Sequence, residues 1–198
     1  MSKVEVKKAM HRKAALSAVR RMISRNGLSS LNAREIAEAA GCSVGTLYNL
    51  FGSLDGLIIA ANSATMKKID ATLTASVVPG AKPRDRLLAL ARAYLGFVAG
   101  NTKSWYAMFE HKLPDGQRIP DWHLQEHLAL FRHVAVPLKE INPGLGDDEA
   151  ALLARSVYSA VHGVVSLGLD DRMSRIPLDV LGRHVEIIVG AFVDGYAG

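Results

Sequence analysis

The sequence predicts an all-α fold of about nine helices, on three observations. Apolar residues recur at helical spacing from end to end, and no run alternates as a half-buried strand would. Glycine, proline and asparagine interrupt this pattern at intervals suited to helices joined by short loops. Of the 198 residues, 49% are apolar and 22% charged. That is enough apolar side chain to fill helical cores and to leave surface for a partner subunit.

The first helix is expected over 6–26, where Ala9, Leu16, Val19, Met22 and Ile23 keep one face, and Asn26-Gly27 supplies a left-handed stop. Asn32 caps the second, with Glu35 three residues on in a capping-box pattern. That helix turns Ile36, Ala37 and Ala40 inward and ends at Gly41. Ser43 caps a short third helix, Val44 to Phe51. Ser53 and Asp55 start a fourth, which runs through 58–61 and 66–73 to Pro79-Gly80 and Pro83. Further breaks fall at Gly100-Asn101, Pro114-Asp115-Gly116 with Pro120, Pro143-Gly144 and Arg175-Ile176-Pro177. The last helix spans Leu178 to about Tyr196. The domains expected are 1–56 and 57–198.

Charge divides the same way. Residues 1–56 hold nine basic groups against four acids, and the remaining 142 residues hold fifteen of each. All of the +5 formal charge therefore lies in the first quarter of the chain, which points to a polyanionic partner. The charged stretch 1–13 has no apolar core, so no secretory signal is expected. The longest strongly apolar stretch without formal charge, 156–169, has 14 residues where a membrane span needs roughly 20. The single cysteine, Cys42, forms no internal disulfide and fits a reducing cytoplasm, as a small buried hydrophobe. No membrane partner is expected.

Residues 32–52 (NAREIAEAAGCSVGTLYNLFG) carry the sharpest signal. A helix of about eight residues, a turn at Gly41-Cys42-Ser43 and a short second helix make a helix-turn-helix. Ala37, Ala40 and Leu47 are small or apolar where the helices cross. Ser43, Val44, Thr46 and Asn49 are left outward, with Tyr48 beside them.

These residues resemble the TetR family of transcriptional regulators. The family run appears as Ile36-Ala37, Ala40-Gly41-Cys42-Ser43, Gly45-x-Leu47-Tyr48 and Phe51, behind a long first helix. The resemblance implies that helix 44–51 enters the major groove of double-stranded DNA. Thr46 and Tyr48 would hold phosphates, and Val44, Gly45 and Asn49 would face base edges. Arg34 aligns with a position that contacts phosphate or base, and its guanidinium suits a bidentate contact with either. Relatives often carry a hydroxyl where Ala33 stands and a lysine where Leu54 stands, so fewer backbone contacts are expected from those positions.

The body beyond residue 57 reads as a sensor. Seven of the twelve aromatic residues fall between Tyr94 and Phe131. Such a cluster is either ordinary core or the lining of an apolar pocket with a few polar handles. The candidate contacts to a small apolar or amphipathic effector are Phe97, Trp105, Phe109, Trp122, His127, Phe131 and His162. Stretch 93–110, with Tyr158-x-x-x-His162-Gly163, resembles the carboxy-terminal WHG type of the family, with Tyr158 where tryptophan is usual. In the last helix, Leu178, Leu181, Val185, Ile188, Phe192 and Tyr196 recur near the seam spacing of packed helices. In 150–169, Leu153, Val157, Ala160, Val164 and Leu167 share one face and small residues another. Two such helices per subunit would form a four-helix homodimer interface, as the resemblance also implies.

The competing reading is chemical. His123-Leu-Gln-Glu126-His127 spells an inverted zinc-protease pattern, with two histidines on one helix face and Glu126 as general base. Three fixed positions in a chain with seven histidines arise readily by chance. No nucleophile elbow or phosphate-binding glycine loop accompanies them. The expectation is a non-enzymatic, ligand-responsive repressor without cofactor or metal, acting in the cytoplasm.

Overall fold

The structure is a computed structural model that describes residues 2–197. Ten α-helices and two short 3-10 turns form it, and no strand occurs among the described residues. The helices are α1 (Lys3–Asn26), α2 (Ala33–Ala39), α3 (Val44–Phe51), α4 (Leu54–Ser76) and α5 (Pro83–Gly100), followed by α6 (Thr102–Glu110), α7 (Asp121–Leu130), α8 (Arg132–Ile141), α9 (Asp147–Gly168) and α10 (Leu178–Ala197). The expected helix starts and stops recur within a few residues. α1 begins earlier than its apolar face does, because Ser2 and Glu5 form a reciprocal capping box there: Ser2 Oγ accepts from the Glu5 amide at 3.2 Å, and the Ser2 amide donates to Glu5 at 2.6 Å. At α2 the cap is simpler than the sequence suggested. Asn32 accepts from the Arg34 amide at 2.8 Å, and no reciprocal bond from Glu35 accompanies it.

The chain divides into two compact units. The first takes in the residues up to Lys67 together with Asn101–His123, so it holds α1–α3, the start of α4, and α6. Its core is Ala15, Val19, Ile23, Ile36, Ala37, Ala40, Leu47, Leu57, Ala61 and Ala107. Cys42, half-buried, packs against this cluster. Ala107 brings α6 into a core otherwise made of α1–α4. Three polar contacts fix it there: the Asn62 amide donates to the Ala107 carbonyl at 3.3 Å, His111 meets Asp55 at 2.9 Å, and Lys103 donates to the Arg25 carbonyl at the end of α1.

The second unit comprises Lys68–Gly100 and the residues from Leu124 on. In it α5, α8, α9 and α10 pack side by side. α9 is long and apolar enough to cross a membrane by length and composition. It nevertheless carries Asp147, Asp148, Glu149 and Arg155, and its Ala150, Ala154, Val157, Val161 and Val165 face is buried in the bundle. The seam expected on α10 divides differently from the sequence pattern. Leu181 and Val185, with Val189 and Val193, are buried inside the chain, while Leu178 and Ile187 are 47% and 65% exposed. On α9, Leu152 and Leu167 are 67% and 56% exposed, with Ser156, Ser159 and Ala160 between them. A helix packed against its own bundle spends one apolar face there, so the outward faces lie about a residue off the expected register.

Candidate functional site

The first candidate surface is built by a helix end, a turn and a helix start. α2 closes in a Schellman motif: the Cys42 amide donates to the Ala37 carbonyl and the Gly41 amide to the Glu38 carbonyl, both at 2.9 Å. Gly41, at φ +67°, takes the left-handed position this closure demands. Ser43 then starts α3, its Oγ accepting from the Thr46 amide at 3.1 Å. Leu47 is 1% exposed at the centre of the core and anchors the middle of the helix. At the far end α4 starts close against α3. A β-carbon added at Gly56 would lie 2.1 Å from the Phe51 carbonyl oxygen. No sequence signal marked Gly56.

The residues expected to meet DNA take different places on this frame. Arg34, Gly45, Tyr48 and Asn49 are exposed, Tyr48 at 41%, and the Arg34 guanidinium has no hydrogen-bond or ion-pair partner among the described residues. Val44 is half-buried and packs on the core. Ser43 and Thr46 are engaged with each other, Oγ to Oγ1 at 2.9 Å, as part of the cap. One hydroxyl donates in that contact, and the other keeps its O–H for an outside acceptor. The surface thus combines a capped helix, an open edge and a cation at the start of the preceding helix.

The candidate effector residues fall in both units. In the first, Trp105 is buried edge-on against Tyr106 and Phe109, with centroids 4.9 and 5.1 Å apart. Phe109 is 43% exposed, and Trp122, at the start of α7, is 51% exposed. In the second, Phe97 is buried on α5, and His127 and Phe131 are half-buried. Phe131 meets the edge of Tyr158 at 5.4 Å. Burial pushes the His127 imidazole below its usual range against the opposing charge of Glu126.

His162 has the most developed surroundings. Its Nδ1 lies 3.0 Å from the Tyr94 hydroxyl and 3.1 Å from that of Tyr158, and the two hydroxyls are 3.2 Å apart. Burial pushes the imidazole below its usual range and the Tyr158 phenol above its own. A neutral imidazole whose Nδ1 accepts from one tyrosine fits these distances, the second tyrosine then donating to the first. Tyr94 and Tyr158 are thus polar partners of His162 on two helices. The sequence offered Tyr94 only as one aromatic among seven.

The zinc reading gains no support from the geometry. His123 is buried, and Glu126 and His127 are half-buried on α7. No group of three or more His, Cys, Asp or Glu side chains among the described residues is placed to hold a metal ion.

Two family models match separate stretches of the chain. Residues 87–192 match the family model described as tetracyclin repressor-like, C-terminal domain, and residues 15–61 match that described as bacterial regulatory proteins, tetR family. The HTH-type transcriptional regulator BetI of Vibrio campbellii is 26% identical over 96% of this chain and 92% of its own length. The HTH-type transcriptional repressor KstR of Mycobacterium tuberculosis is 37% identical over 38% of this chain and 34% of its own. Among solved structures, a protein of unknown function from Rhodococcus sp. RHA1 superposes with a TM-score of 0.76 at 20% identity, covering 95% of this chain and 96% of that one, a likeness of fold.

Proposed function

The chain belongs to the TetR family of transcriptional regulators, and on that footing we propose that it is a ligand-responsive repressor, binding a near-palindromic operator as a homodimer in the cytoplasm. The observation that carries the DNA-reading part is α3 itself. It is capped at Ser43 and anchored by a fully buried Leu47, and its Gly45-Tyr48-Asn49 edge is exposed. Val44, Gly45 and Asn49 would face base edges in the major groove. Tyr48 and Thr46 would hold phosphates, and Arg34 a phosphate or guanine. The charge excess of residues 1–56 favours that approach.

The exposed apolar residues of α9 and α10 support the dimer. Leu152 and Leu167 flank small residues on one helix, and Leu178 and Ile187 stand out from the other. Such a paired face is suited to a two-fold, self-complementary contact. An effector in the second unit, handled by Phe97, His127 and Phe131 and by His162 with its two tyrosines, would relieve repression. It can do so only by binding the DNA-free arrangement more tightly than the DNA-bound one.

Selection of bound duplexes from a random DNA pool by the purified protein tests the reading. A near-palindrome with half-sites about one helical turn apart is expected. The absence of any enriched sequence at moderate salt would overturn it.

A further inference from the structure

Arg12 belongs to the basic excess that points to a polyanion, yet its guanidinium is committed within the fold. Nη1 donates to the Leu50 carbonyl at 2.7 Å, and the guanidinium carbon stands 4.6 Å from the centroid of the Phe51 ring. Leu50 and Phe51 end α3, where an α-helix leaves its last four carbonyls without an intrahelical partner. A cation there also meets the negative end of the helix dipole. One side chain of α1 therefore grips the C-terminal end of α3 by a directed hydrogen bond and by stacking on an aromatic face.

The consequence is orientational. α3 has eight residues, and Leu47 is its one buried side chain. The Ser43 cap fixes where the helix begins, and half-buried Val44 and Phe51 pack with Leu47 along the side that faces the core. A roll of about 20° carries a side-chain tip, roughly 5 Å from the axis, through about 2 Å, more than a hydrogen bond tolerates. The hydrogen bond to Leu50, a full turn beyond Thr46, adds a directed polar restraint on this roll to the apolar packing. We infer that Arg12 is a positioning residue for sequence reading: it fixes the roll of α3 and does not hold a phosphate. The inference rests on the reading of α3 as the DNA-contacting helix.

The test compares full-length wild type, Arg12→Ala and Arg12→Lys on the selected operator and on random-sequence duplex, each across a salt series. Circular dichroism is used to confirm that each variant is folded. Arg12→Ala is expected to lose about tenfold in operator affinity while its affinity for random duplex and its salt slope stay unchanged, because the lost contact is charge-assisted but partly solvated. Arg12→Lys, which can still donate to Leu50 but cannot stack, should recover part of the lost preference for operator over random duplex. Equal weakening on both duplexes, with the salt slope shallower by about 0.9, would make Arg12 a phosphate contact and overturn the inference. So would unchanged operator affinity. If wild type itself shows no preference for the operator, the reading of α3 fails first and the inference falls with it.

Discussion

Replacing Gly56 with alanine sets two effects of opposite sign against each other. Gly56 lies in the first turn of α4, so alanine there gains helix propensity of roughly 0.8–1 kcal/mol. The same methyl would sit 2.1 Å from the Phe51 carbonyl oxygen. The obstacle is backbone, with no rotamer to relieve it, so α3 and α4 must separate by more than 1 Å at their junction to reach ordinary contact. Overpacking of that kind costs about 1–3 kcal/mol, and the clash is at the severe end. The net expectation is destabilisation of about 1–2 kcal/mol, with a larger effect on DNA discrimination because the displaced element is the helix proposed to read DNA. Gly96→Ala on α5 is the control: it is exposed, and a β-carbon there meets nothing within 4 Å, so propensity alone should stabilise by about 0.5–1 kcal/mol. Urea unfolding of both variants, read as a midpoint shift at constant slope, gives the comparison. If Gly56→Ala were stabilised as much as Gly96→Ala, the close approach of α4 to α3 would be wrong.

Tyr48→Ala should weaken binding to operator and random duplex alike by roughly 1–2 kcal/mol, as loss of a phosphate contact does; a changed base preference on repeating the duplex selection would contradict that role. Stability should fall between pH 7.5 and 5.5: His127 and His162 titrate below their unfolded value of about 6.5, so as pH drops through it the unfolded chain takes up protons that the folded chain refuses. Urea midpoints at the two pH values check the sign, and His162→Gln should shallow the dependence; a higher midpoint at pH 5.5 would refute it. Ile187→Glu, at a 65% exposed position, should leave the unfolding midpoint of dilute monomer within about 0.5 kcal/mol while shifting sedimentation from dimer to monomer. A variant that still sediments as a dimer would move the interface elsewhere.

What could be read from the sequence was what short-range chemistry decides. The α2–turn–α3 segment was legible because each of its constraints is local: the Asn32 and Ser43 caps, the positive φ of Gly41, and the small or apolar Ala37, Ala40 and Leu47 where two helices cross. Helix ends elsewhere were legible for the same reason, since proline and glycine act on the chain within a turn of where they stand. His162 was singled out through its neighbours in sequence, and its Tyr158 partner lies one helical turn away.

Features that depend on pairing across long stretches of chain were not legible. Tyr94 and His162 are 68 residues apart, and a tyrosine in an apolar helix has the same pattern whether its hydroxyl is partnered or not. The grip of Arg12 on Leu50 spans 38 residues, so Arg12 reads as one more surface cation. α6 belongs to the unit of α1 through Lys103, Ala107 and His111, although its sequence lies among the helices of the other. The outward face of α10 differs from the sequence pattern for a related reason. Leu181, Val185 and Ile188 fit a seam spacing of 3.5 residues, yet the helix buries Leu181, Val185, Val189 and Val193, every fourth residue. On a helix apolar almost all round, the period names a stripe without saying whether the chain itself or a second copy covers it. That choice is made by α5 and α9, which claim one side of α10 and leave Ile187 exposed.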